Sequence, residues 1–395
     1  MGILATLDSY KNFQSGMLGE YPEVEFQLHS WGEIYPPFIG DREHSIAARF
    51  ILRDFPIKLF SSSTPYDDPL PQKLCLSFIA PYQVKKNISG IFSHETAKEF
   101  AAFLSLVTRR RVFVTRQIRY DGLPIEHEID LYRRSHFQEM QRLKEINPKQ
   151  IYQLLENLQT MDRSIADGFI MAMRLYHSAV EMIYTEPEFS YLFLIICLET
   201  ISSVVYKDYK PPEEEKFLDS RFPGWKDLSN VLPQEQKMNL KEMLLKNEKF
   251  TFSKFSKFIE ENVPERFWSE TKDDAKPDYL IGKFGLGPNR LGQEHISHSD
   301  ITIGDWEKIE KESLTGVLRE IYNARSKLIH EGVRLPASIV FGHFRWLPPE
   351  ASQEIIQSLE KNHVKHTLPI PPLLTFERLV SYSMVEFLHS QRPEV

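Results

Sequence analysis

Tyr322-Asn323-Ala324-Arg325-Ser326-Lys327-Leu328-Ile329-His330-Glu331-Gly332 is the segment from which the architecture of this chain is most directly inferred. It closes a pattern reaching back to near Asp305, in which Ile309, Leu314, Val317, Leu318, Ile321 and Leu328 recur at the three-and-four spacing of an amphipathic helix. Arg325 comes four residues after Ile321 and three before Leu328, so it lies on the stripe that faces inward. A guanidinium there is costly unless a carboxylate or phosphate pairs with it. His330 falls in the last turn, at the negative pole of the helix. Gly332 supplies the left-handed residue that ends the helix.

Working outward, the nearest source of a carboxylate is the apolar run Phe189 to Val205, introduced by Glu186-Pro187-Glu188. Its residues are apolar almost all round, which predicts the buried centre of a helical bundle. Glu199 interrupts it, on the same face as Leu192 and Ile196. A buried carboxylate and a buried guanidinium each need the other, so Glu199 is expected to pair with Arg325. Removing one side of a fully buried pair costs about 3–5 kcal/mol. Another long helix precedes the run, with Ile165, Phe169, Met173, Tyr176, Val180 and Ile183 on one stripe. A last helix is expected over Leu373 to Leu388, after the proline-rich approach Leu368 to Pro372.

The arginine and histidine in this helical setting resemble the R-x4-6-H signature of the HEPN superfamily, and the wording YNxRxxxIHEG is similar to its ApeA-like branch. Arg290 and His295 repeat the spacing, but in the glycine-rich loop 282–292, without a helix. The resemblance implies a helical bundle carrying a metal-independent endoribonuclease site with no cofactor. In that chemistry RNA brings its own nucleophile, the 2′-hydroxyl. His330 would exchange a proton with that hydroxyl or with the leaving 5′-oxygen. Arg325 would hold the scissile phosphate, and Asn323 or Ser326 would orient the imidazole or the phosphate. An acidic residue on the early helix, here Glu199, fits the same resemblance. It further implies two motifs facing across a homodimer, or a partner that supplies the second one. RNA, tRNA included, would be the substrate, in an antiviral or toxin role. The alternative is a HEPN domain without catalysis, serving as a dimerisation and nucleotide- or protein-binding scaffold.

Length and composition agree with a soluble chain of two domains. There are 395 residues, of which 42% are hydrophobic and 26% charged, ordinary values for a globular protein. The formal net charge of −7 argues against a general nucleic-acid coat protein, so any RNA contact is expected to be local. The two cysteines, Cys75 and Cys197, lie in apolar runs and point to a reducing, cytoplasmic compartment. No signal peptide or clear membrane span is read, and no membrane partner is expected.

The expected architecture is mainly α, a C-terminal helical bundle over 136–395 with a smaller mixed α+β N-terminal domain over 1–135 as sensor or regulator. Strands are predicted at Val24 to Leu28, Phe50 to Leu52, Ile57 to Phe60, Leu74 to Ile79 and Val112 to Val114, and a helix at Thr96 to Val107. Lys207 to Gly224 reads as a charged connector, and about 225–300 as an insertion with short helices at Lys237 to Asn247 and Phe252 to Glu261. The loop 282–292 lacks the Gly-Lys-Ser/Thr ending of a phosphate-binding loop, and no G-x-S-x-G elbow is present.

Three further groups carry possible chemistry. Arg109, Arg110 and Arg111, with Arg116 and Arg119 nearby, read either as a phosphate-contacting strip for RNA or as the solvated face of a strand. His295, His298 and Asp300 supply three donors within six residues, yet an exposed polar loop explains them as well, and no metal is expected. His177, one position off its helix stripe, reads as a structural histidine.

Overall fold

The computed structural model describes residues 23–30, 49–50, 57–62, 73–79, 89–109, 112–120, 123–128, 148–183, 186–269, 309, 311–335, 370–371 and 373–391. Among them the chain is mainly helical. The expected domain boundary near 135, residues 305–308 of the expected helical pattern and the loop 282–292 lie outside the described residues.

Six strands form an antiparallel sheet in the order β2-β3-β4-β1-β5-β6. They are β1 (Glu23–Ser30), β2 (Arg49–Phe50), β3 (Ile57–Ser62), β4 (Lys73–Ile79), β5 (Val112–Tyr120) and β6 (Leu123–Glu128). Central β1 pairs with β4 in regular register, Phe26 opposite Leu76, and with β5 through two irregularities. β6 is absent from the sequence reading. Its Pro124 argues against a strand, but β6 lies at the sheet edge, where a missing N–H is tolerated.

Helix α1 (Ser89–Thr108) precedes β5 and starts one to two turns earlier than its apolar pattern. Ala97, Phe100, Phe103, Leu104 and Val107 are buried. Arg109 turns the chain with φ of 52°, a left-handed conformation that ends the helix. The Ser105 hydroxyl accepts the Val112 N–H at 2.9 Å, tying the helix to the first residue of β5.

The helical part begins with α2 (Pro148–Thr160) and α3 (Arg163–Met182). Asp162 caps α3 by accepting the Ser164 N–H at 2.9 Å. The expected stripe is buried at Phe169, Met173, Tyr176, Val180 and Ile183, with Ile165 partly buried. Then follows α4 (Pro187–Val205), antiparallel to α3 and in contact with it along its length. Tyr191, Leu194, Ile195, Cys197, Leu198 and Ile201 are buried. Leu192, Phe193 and Ile196 are half-buried and Phe189 is exposed, so α4 is central on one side only. By length and mean hydropathy (1.7) α4 is apolar enough to cross a membrane, but it packs against four other helices here.

The charged connector contains structure that its composition hides. Glu214–Arg221 forms α5 and Trp225–Val231 forms α6, followed by α7 (Gln234–Asn247). Charge pairing holds them, since Glu215 accepts from Trp225 Nε1 at 2.9 Å and from Lys241 Nζ at 3.2 Å. The next helix, α8 (Thr251–Asn262), falls in the stretch read as an insertion between core helices, and it is itself part of the core. Phe255, Phe258 and Ile259 are fully buried, and α8 packs against α4. A short α9 (Glu265–Ser269) leads out of it.

The motif helix is α10 (Leu314–Glu331), preceded by a tight turn at Lys311–Ser313, and the last helix is α11 (Leu373–Ser390). α11 is buried nearly all round and meets α1, α2, α4 and α8. One hydrophobic core therefore runs from α1 and β5 into the bundle without a break.

Candidate functional site

α10 folds as its spacing dictates, with Leu314, Leu318 and Ile321 buried and Val317, Ala324 and Leu328 partly buried against α4 and α8. Gly332 adopts φ of 67°, and the Val333 N–H reaches the Lys327 carbonyl at 3.2 Å. That closes the helix as expected from glycine at this position.

Arg325 turns inward. Its Nη2 donates to Glu199 Oε2 of α4 at 3.2 Å, with the two side chains 23% and 12% exposed. The pairing inferred from mutual need is present. Tyr322, not singled out from sequence, completes the cluster. Its ring lies 5.7 Å from the Arg325 guanidinium, edge-on to Phe252 of α8 at 5.4 Å. Its hydroxyl faces Glu199 and Thr251. Its signal in the sequence was position, since it stands three residues before Arg325 on a neighbouring row of the helix. Within this cluster Arg325 Nε and Glu199 Oε1 are buried without a well-formed hydrogen bond.

Burial pushes the Glu199 carboxyl above its ordinary value of 4.5, and the opposing pull of Arg325 and Tyr322 does not fully offset it. The pair thus differs from the fully buried type. Because Arg325 keeps an edge in water, Glu199→Ala is expected to cost about 1–3 kcal/mol, the range for an unsatisfied buried partner. A carboxyl raised in the fold binds its proton more tightly there than in the unfolded chain. Its stabilising share is complete below the unfolded value and is lost as pH rises through the folded one. Glu199→Gln, which mimics the protonated form, should therefore gain stability relative to wild type as pH is raised above 4.5 towards neutrality. Urea unfolding of both proteins across that range measures it, and a difference that stays flat or runs the other way refutes it.

His330 is exposed in the last turn. Five helical residues separate it from Arg325, about 140° around the axis. The structure accordingly brings Arg325 together with Glu199 and Tyr322, and His330 onto the outer face beside Asn323 and Lys327. Asn323 is exposed, with Nδ2 at 3.5 Å from Glu320 Oε1, and Ser326 is half-buried at the border.

Arg109 must be corrected. It is 2% exposed, and its Nη2 donates to Glu377 Oε2 of α11 at 2.5 Å while Nε lies 3.2 Å from Oε1. It is no surface contact for RNA, because the left-handed turn after α1 aims its side chain into the core. The Tyr176 hydroxyl also donates to Glu377. Burial opposes the Arg109 charge, but Glu377 outweighs it and holds the guanidinium above its ordinary value. The sequence signal for this network was Glu377-Arg378 flanked by Leu373, Leu374, Phe376, Leu379 and Val380. Arg110 and Arg111 lie outside the described residues, as do His295, His298 and Asp300. Among the described residues no cluster of His, Cys, Asp and Glu is suited to a metal ion. His177 donates from Nε2 to the Val112 carbonyl at 2.6 Å, joining α3 to β5 in the structural role expected of it.

Neither family models, nor characterised proteins, nor solved structures match the chain.

Proposed function

We propose that this chain is a metal-independent endoribonuclease of the HEPN type, acting on RNA through Arg325 and His330. The observation that carries the reading is the pairing of an anchored arginine with a free histidine on one helix. Glu199 engages Arg325 at Nη2, one of five guanidinium donors. Nε is buried, but the remaining donors on the two terminal nitrogens, at the exposed edge, can meet a phosphate as negative charge builds on it.

The 2′-oxygen would attack phosphorus and the bond to the 5′-oxygen would break. One imidazole would accept the 2′-hydroxyl proton and a second would donate a proton to the leaving oxygen. The products would be a 2′,3′-cyclic phosphate and a 5′-hydroxyl. The angular separation of Arg325 and His330 favours a composite site, in which a second copy of the chain supplies the other motif. The buried thiol of Cys197 agrees with a reducing cytoplasm. The strands β1 to β6 with α1 fit a smaller mixed α+β part over 1–135 that senses a trigger, and an antiviral or toxin role follows from the resemblance. A scaffold without catalysis is the second reading, favoured by the Glu199 pair, which by itself locks α10 to α4.

The test is purified protein on total RNA with analysis of the new ends. Cyclic phosphate and 5′-hydroxyl ends are expected, with full activity in chelator, because the nucleophile needs no metal to form. A substrate with 2′-deoxyribose at the scissile position should resist. Cleavage that survives this replacement overturns the mechanism, and intact RNA under all conditions favours the scaffold.

A further inference from the structure

The outer face of α10 carries a second pattern, independent of the inward stripe. Arg319, Asn323, Lys327 and His330 follow one another at steps of four, four and three, so they fall within about 80° of each other around the axis. All four are exposed. Gly316, one turn earlier on the same face, has open space where a side chain would stand. Successive members of the row are about 5–6 Å apart along the helix. The row thus covers about three turns, with Glu320 and Glu331 beside it and Glu320 Oε1 3.5 Å from Asn323 Nδ2.

The two cations of this row differ from several on neighbouring helices in having no carboxylate opposite them among the described residues. On other helices Arg163 faces Asp167, Arg174 faces Glu95 and Arg221 faces Glu248. Among the described residues neither Arg319 nor Lys327 has a carboxylate in ion-pair reach. The Arg319 guanidinium instead lies over the Phe252 ring, 5.8 Å from its centroid, while the residue stays exposed. In a chain of net charge −7, an unneutralised cationic row on one helix is a local attraction for a polyanion.

We infer that the exposed row Arg319, Asn323, Lys327 and His330 is a backbone track for single-stranded RNA, feeding the strand along α10 toward His330. This rests on the ribonuclease reading above for the meaning of its end point, but the binding it describes does not depend on catalysis. Two fixed cations and one amide spaced along a single helix suit the phosphates of one extended strand. They offer no aromatic platform or base-edge reader in line, so the track should be indifferent to sequence. It also takes the place of Arg109, whose burial removes it from the surface.

The probe is a mixed-sequence 2′-O-methyl RNA oligonucleotide, which no 2′-hydroxyl mechanism can cleave, titrated by fluorescence anisotropy at several salt concentrations. Each of Arg319→Gln and Lys327→Gln should weaken binding several-fold and reduce the slope of log affinity against log salt by about 0.7, the share of one phosphate on a single strand. Lys226→Gln, an exposed lysine on α6, should leave the slope unchanged. Unaltered slopes in both row variants, with folded protein by circular dichroism, overturn the track. So does binding of polyglutamate but not of the oligonucleotide, which would make the row a docking face for an acidic protein. Slope losses without any cleavage of unmodified RNA would keep the track and remove the ribonuclease reading. Cleavage with unaltered slopes would do the reverse.

Discussion

Glu377→Ala is expected to lower the unfolding free energy by about 3–5 kcal/mol, the loss typical of breaking one side of a buried ion pair. The Arg109 and Glu377 side chains are 3% and 0% exposed, so neither charge can turn to water when its partner goes. Arg109 is further fixed by its backbone turn, and Tyr176, fully buried, has its hydroxyl committed to the same carboxylate. Truncation would strand a guanidinium and a phenol together. Glu199→Ala should cost clearly less, because Arg325 reaches the surface. Chemical unfolding of the two variants side by side measures the difference, and equal losses would contradict it. The double change Arg109→Met with Glu377→Leu should recover much of the stability, since an apolar pair of similar size avoids the desolvation of both charges. If the double variant is no better than Glu377→Ala, the pair is held by more than its charges.

The second large effect concerns activity. On the ribonuclease reading His330→Ala should reduce RNA cleavage by about 10²–10⁴-fold, the usual contribution of a positioned acid or base. The unfolding midpoint should not move, because His330 is exposed and no core contact depends on it. Arg325→Ala should also lose cleavage, but with a lowered midpoint, since Glu199 is left half-buried and unpaired. The contrast separates the readings. A purely structural motif predicts a midpoint change for Arg325 alone and nothing at all for His330. Cleavage retained in His330→Ala would remove the imidazole from the chemistry.

What the sequence made legible follows from how local each signal is. The stripes of α3 and α10 were readable because buried residues repeat at the helical period, and Gly332 announced the helix end. Arg325 and Glu199 could be matched across 126 residues because each sat alone on an apolar face and needed the other. Arg109 was misread for the opposite reason. In a run of three arginines nothing local distinguishes the one that a left-handed turn directs inward, and its partner lies 268 residues away in another apolar helix. The helices α5 and α6 escaped notice because they are held by exposed charge pairs, which leave no periodic pattern, whereas most of α7 was read at Lys237 to Asn247. Phe252 to Glu261 was legible as a helix, but its membership of the core depends on α4 and α11, which only tertiary packing reveals. The opposite orientations of Arg325 and His330 follow from the five-residue step, and the cationic row became visible once the inward face was fixed.

The central position of α4 also has a consequence for how the chain reaches its native state. Its neighbours include α3 just upstream, but also α8, α10 and α11, the last beginning at Leu373, well over a hundred residues downstream. During synthesis α4 leaves the ribosome long before its covering helices exist. Contacts of such high sequence separation form slowly, and an apolar segment waiting for them is open to association with other chains. The nascent protein therefore depends on being shielded until α11 has emerged. Newly made chains should show this as a requirement for holdase chaperones, set by the order of the helices along the chain.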